Sequence, residues 1–124
     1  MLAREHVVTY RQFVTSGHDE FLTTLGIEAV PSENEEFFTL TSTTAERETV
    51  TVTVDTAGRS IGCHVDRDGR SLVRLEREGA TLLRPRFAGG EAFVDVDFET
   101  DELHGRLTIQ LHPHFEMKDT LLLH

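Results

Sequence analysis

Glu91 to Glu116 reads EAFVDVDFETDELHGRLTIQLHPHFE and holds the two most regular runs of the chain. Ala92, Val94, Val96 and Phe98 share one parity, against Glu91, Phe93, Asp95, Asp97 and Glu99. Leu107, Ile109 and Leu111 share one parity, against Arg106, Thr108, Gln110, His112 and His114. An apolar period of two is the signature of a strand with one buried face. Asp101 and Gly105 supply turn residues between the runs, over Thr100 to Gly105. The pattern predicts a hairpin at the centre of a sheet. One register sets Phe98 against Leu107, Val96 against Ile109 and Val94 against Leu111, and pairs Glu99 with Arg106 on the other face. A slip of one residue would oppose apolar to polar side chains throughout.

Upstream of this hairpin the chain changes character near residue 36. Before it lie helical signals. Val7, Tyr10 and Val14 are spaced for an amphipathic helix over Ala3–Thr15. Ser16 as N-cap, with Asp19 three residues on, starts a second helix over Gly17–Leu25. Phe21, Leu22 and Leu25 form its stripe and Gly26 its stop. Pro31–Glu36 is a polar turn. Beyond it the runs are β. Phe37, Phe38 and Leu40 open a strand, and Thr41–Glu46 reads as loop. Thr49–Asp55, TVTVTVD, buries Val50, Val52 and Val54. Ile61, Cys63 and Val65 share the next buried parity, and Asp66–Gly69 turns the chain. Ser71–Glu78 fits either a strand burying Val73 and Leu75 or a helix capped by Ser71 and Gly79. Thr81–Phe87 is a strand that Pro85 confines to an edge or bulge, and Thr120–Leu123 a short closing strand.

These elements predict one domain over 1–124, with 1–30 as helical cover and 36–124 as a β-rich body. The expected class is α+β: two short N-terminal helices on a mainly antiparallel, meandering sheet of six to eight strands. The alternative makes Ser71–Glu78 and Asp101–Leu111 helices, a ferredoxin-like αββαβ second half. Gly105, Thr108 and Ile109 disfavour the second of those helices.

Composition narrows the function classes. With 22 acidic and 12 basic residues the formal charge is -10, which argues against nucleic acid or an anionic membrane surface as partner. Lys118 is the one lysine among the basic residues. Halophile cytosolic proteins have such a lysine-poor, acid-rich composition, and high salt screens its self-repulsion. A GC-rich genome favouring arginine codons would also produce the lysine deficit. Charges at Arg4, Glu5 and Arg11 interrupt any signal-peptide core, so a cytoplasmic location is expected. Cys63 has no second cysteine to pair with, and its parity makes it a core residue.

The one constellation with metal-ligand character is His112-Pro113-His114-Phe115-Glu116. On a continuing strand His112, His114 and Glu116 would share a face, and Glu91 would lie opposite His114. Gly105 followed by His-x-His resembles the first motif of cupins, although cupins place their glutamate further downstream. Asp95, Asp97 and Glu99 form an acidic row that reads as a wet strand face rather than a Ca²⁺ site. Asp66-Arg67-Asp68-Gly69 resembles the start of a Ca²⁺ loop, but Arg77 stands at the twelfth position. Asp19 in His18-Asp19-Glu20 belongs to a helix start. Arg67, Arg70, Arg74, Arg77, Arg84 and Arg86 interleave with acids and make no clean phosphate patch. The run Ser71–Phe98 is similar to the α/β sensor part of haloarchaeal regulators with a C-terminal helix-turn-helix. That likeness covers under a quarter of the chain, rests on a Leu/Gly/Ala pattern, and assigns no family.

Without a catalytic set, a non-enzymatic interaction or binding module is the expected function, with a protein partner or self-association. Phe93 carries that expectation: an aromatic on the polar face of the hairpin, placed opposite His112, can anchor an interface. The alternatives are a metal-binding protein or metal-dependent enzyme using His112 and His114 with Glu116 or Glu91, and a curled sheet holding a small ligand among Phe37, Val52 and Val96.

Overall fold

The computed structural model describes residues 12–33 and 36–123. Its elements in chain order are β1 (Val14–Thr15), α1 (His18–Leu25), β2 (Val30–Pro31), β3 (Phe37–Thr43), β4 (Thr49–Asp55), β5 (Ser60–Arg67), β6 (Arg70–Glu78), β7 (Ala80–Ala88), β8 (Glu91–Glu99), β9 (Leu103–His112) and β10 (Glu116–Leu123). They form two five-stranded sheets, ordered β2-β3-β4-β5-β6 and β1-β7-β8-β9-β10. Buried side chains of both sheets join one apolar cluster, so the sheets pack face to face. The expected single sheet under two helices is therefore wrong, and the chain is mostly β. Of the two expected helices, α1 forms. Ala3–Thr15 lies largely outside the described residues, and its end, Val14–Thr15, is strand β1 pairing in parallel with Leu82–Leu83. The ferredoxin-like alternative fails as well, because 70–78 and 103–112 are strands. No helix among the described residues is long and apolar enough to cross a membrane.

Local chemistry explains most of the sheet containing β4. Val50, Val52 and Val54 are fully buried and face Val65, Cys63 and Ile61 on β5. The β5–β6 connection is a two-residue hairpin with positive φ at Asp68 (51°) and Gly69 (76°), the conformation that suits strand twist. Burial drives the Cys63 thiol pKa up to about 11, so it stays a protonated core group.

Gly79 moves the chain from one sheet to the other. It is the single residue between β6 and β7, and its φ of 91° suits glycine. The Gly79 and Ala80 amides both donate to the Arg59 carbonyl, and Glu99 N–H donates to the Gly79 carbonyl. Pro85 sits in β7 beyond the two positions that β1 covers, so its missing N–H faces no partner strand.

The α1 helix starts at Gly17, which makes no side-chain cap; Ser16, the expected cap, instead donates its N–H to the Leu83 carbonyl. Gly26 ends the helix at φ 71°. Phe21 enters the core and stacks at 5.7 Å on Phe38 of β3. At the opposite side, Arg77 of β6 closes the gap between the sheets. Its guanidinium donates to both Asp119 oxygens on β10 and lies 5.1 Å from the Phe98 ring centroid.

Candidate functional site

The outer face of β7, β8, β9 and β10 holds Phe93, Glu91 and Glu116 of the sequence-derived candidates. The β8–β9 hairpin forms, but two residues out of the expected register. Val96 faces Leu107, Val94 faces Ile109 and Phe98 faces Gly105. A two-residue slip keeps every apolar side chain on its face, so parity was correct while partners were not. The turn is shorter than expected, closed by Thr100 N–H to the Leu103 carbonyl at 2.8 Å. As a result Arg106 pairs with Asp97 at 2.7 Å, not with Glu99.

Phe93 lies opposite Gln110, not His112, and is half-buried. No helix covers it. The Arg86 guanidinium does, centred 4.1 Å above the ring. Arg86 is in turn fixed by Asp95, with Nε 2.7 Å from Oδ2, and Thr108 donates to Asp95 Oδ1 at 3.0 Å. Asp95 is only 7% exposed. Its burial acts to raise its pKa, but hydrogen bonds from Arg86 and Thr108 and the Arg86 charge outweigh that and hold it below the ordinary carboxylate range. Gln110 Nε2 donates to Glu91 Oε2 at 2.9 Å. Arg86, Glu91, Phe93, Gln110, Glu116 and Lys118 border a shallow cleft of about 350 Å³. The acidic row of Asp95 and Asp97 is thus neutralised by protein cations.

The histidine cluster comes apart. His112 ends β9, and its Nδ1 lies 3.3 Å from the Thr43 carbonyl. His114 falls in the following turn, after a cis His112–Pro113 peptide, and its Nδ1 is 2.7 Å from Glu46 Oε2. Glu116 begins β10 opposite Gln110. So the strand does not continue through these residues, and among the described residues no three His, Cys, Asp or Glu side chains converge to hold a metal. Phe37, Val52 and Val96 separate likewise. The two valines are core residues, while Phe37 is on the opposite side of its strand and 36% exposed.

No family model and no curated protein matches this chain. Its fold is similar to that of one chain in a solved structure. That structure is the contact-dependent growth inhibition toxin–immunity protein complex from Klebsiella pneumoniae 342. The match has a TM-score of 0.75 and covers 92% of this chain and 100% of that chain, at 16% identity. At this identity the likeness establishes a shared fold.

Electrostatics give the β9 end a pH response. The hydrogen bond and charge of Glu46 raise the His114 pKa above its ordinary value. A raised pKa means the contact between the β9–β10 turn and the β3–β4 turn is fully present below the ordinary histidine range. It is lost as pH rises through the folded-state value. NMR titration is expected to show His114 titrating above its value in Glu46→Gln, with an unchanged His114 curve in that variant excluding the pair.

Proposed function

We propose that this chain is a protein-interaction module that binds a partner protein through the outer face of β7–β10. The observation that carries the reading is the Arg86–Phe93 pair. A guanidinium stacked on an aromatic and locked by a buried carboxylate is preordered before binding, and arginine and aromatic side chains dominate interface hot spots. Arg86 keeps 44% of its side chain exposed, so the anchor is presented rather than enclosed. Glu91, Glu116 and Lys118 supply a polar rim around the cleft, with the buried Gln110 among its walls. The resemblance to a chain of a toxin–immunity protein complex supports the same reading, since that fold occurs within a protein–protein assembly.

Affinity capture from the source cells tests this, comparing the native chain with Phe93→Ala and Arg86→Lys. The lysine variant keeps the charge beside Asp95 and loses the planar stack and the fork of donors. A partner recovered by the native chain is then purified and titrated. The expected weakening is about thirtyfold for each variant, the effect of removing one hot spot. Equal binding by all three proteins would overturn the assignment to this face. A protein that sediments as a monomer and retains no stoichiometric partner would overturn the interaction reading itself.

A further inference from the structure

A second surface lies on the opposite side of the molecule, independent of the Phe93 face. The outer side of β3 and β4 is a threonine surface: Thr39, Thr41 and Thr43 face Thr53, Thr51 and Thr49. On β5 and β6 the pattern changes. Gly62 is flanked by Thr53 on one side and Glu76 on the other, and Ser60 lies between Asp55 and Glu78. Gly62 is a buried mid-strand glycine without a positive φ, so no turn or backbone conformation requires it there. A Cβ there would lie 2.5 Å from Thr53 Oγ1, so the glycine lets the Thr53 side chain lie against the β5 backbone. Here a cleft of about 590 Å³ opens, with Phe37, Asp55, Glu76 and Glu78 among its walls.

The charge of this cleft is one-sided. Asp55 is oriented by the Gly58 N–H at 2.9 Å. Arg77 reaches the rim, but its guanidinium is committed to Asp119 across the sheet gap. Among the described residues, no ion pair holds Glu76 or Glu78. A concave site with carboxylates on its walls concentrates negative potential. Among the described residues no three acidic or metal-ligating side chains converge to hold a metal ion, so the charges suit an extended cation with several donors. Phe37 adds an exposed aromatic ring on which such a cation can rest.

We propose that this notch receives an arginine side chain from a basic protein partner. A guanidinium is planar, weakly hydrated, donates to carboxylates through a fork and stacks on aromatic rings. The occupant follows from charge complementarity: a chain of net charge -10 repels a second copy and attracts a cationic surface.

The test uses a hexa-arginine peptide at physiological salt, followed by amide NMR and calorimetry on the full chain. The peptide is expected to shift the Thr53, Gly62 and Glu76 amides selectively. Glu76→Gln with Glu78→Gln should weaken binding about tenfold, the loss of one charge-assisted contact. Glu20→Gln with Glu28→Gln removes equal charge at exposed positions elsewhere and should weaken it less than about threefold. Equal weakening in both double variants, shifts scattered over every acidic segment, or no binding would overturn the notch. Shifts confined to the Phe93 face would overturn it too, while leaving the function proposed for that face intact.

Discussion

Phe38→Ala is expected to lower the free energy of unfolding by about 4 kcal/mol, read as a fall in the urea midpoint at constant slope. Phe38 is 1% exposed and joins three parts of the fold. Within the sheet it faces Val54 on β4 and Pro31 on β2. Across the core it meets α1, with its ring 5.7 Å from Phe21 and 4.7 Å from the His18 ring. Truncation removes the apolar transfer gain and leaves a cavity that two rigid strands and a helix cannot close. Domains of this kind have only about 5–15 kcal/mol in total, so the loss is a large share. The α1 amides should then exchange sooner than those of β4. Phe37→Ala is the matched control. Phe37 is the same residue type one step along, on the other face and 36% exposed, and it should cost less than about 1 kcal/mol. Equal losses at the two positions would contradict the assignment of faces in β3.

That contrast marks what could be read directly from the residues. Period two assigns a face wherever one side of a strand is dry, which is why Val50, Val52 and Val54 and the faces of β8 and β9 were legible. In α1 the buried Phe21 and the left-handed stop at Gly26 were legible, but of the expected stripe Leu22 is exposed, because it lies on the outer side of the helix. Register was not, because a slip of two preserves every face. Nor was the division into two sheets. It depends on Gly79, a lone glycine whose backbone turns the chain across the core, and nothing in a hydrophobic pattern distinguishes that from an ordinary loop. The site followed the same rule. Phe93 stood out as an aromatic on a polar face. Arg86 as its cover did not, because that pairing needs the register of β7 on β8. His112, His114 and Glu116 looked like one face only on a strand that continued, and the chain turns at Pro113.

Gly105 is the residue whose sequence reading changes most, and replacing it is expected to have the other large effect. It reads as a turn residue but stands inside β9, opposite Phe98 on one side and Leu121 on the other. An added Cβ would lie 2.3 Å from the Thr120 carbonyl oxygen and 3.2 Å from the Leu121 Cα. These are backbone atoms, so no side-chain rotation relieves the overlap; β10 itself must move. Gly105→Ala should therefore destabilise the protein by about 3 kcal/mol, at the upper end for an overpacked site, and Gly105→Val by more. Displacing β10 also strains the Arg77–Asp119 closure between the sheets. Hydrogen exchange should accordingly quicken first in Glu116–Leu123. Gly17→Ala provides the comparison, since a Cβ there meets nothing within 4 Å; at a helix N-cap it should cost less than about 1 kcal/mol. If Gly105→Ala proved as mild as Gly17→Ala, the close approach of β10 to β9 would be wrong. The short turn that brings Val96 opposite Leu107 would then lose its explanation, because a glycine is needed at 105 only when β9 runs past it with a strand on each side.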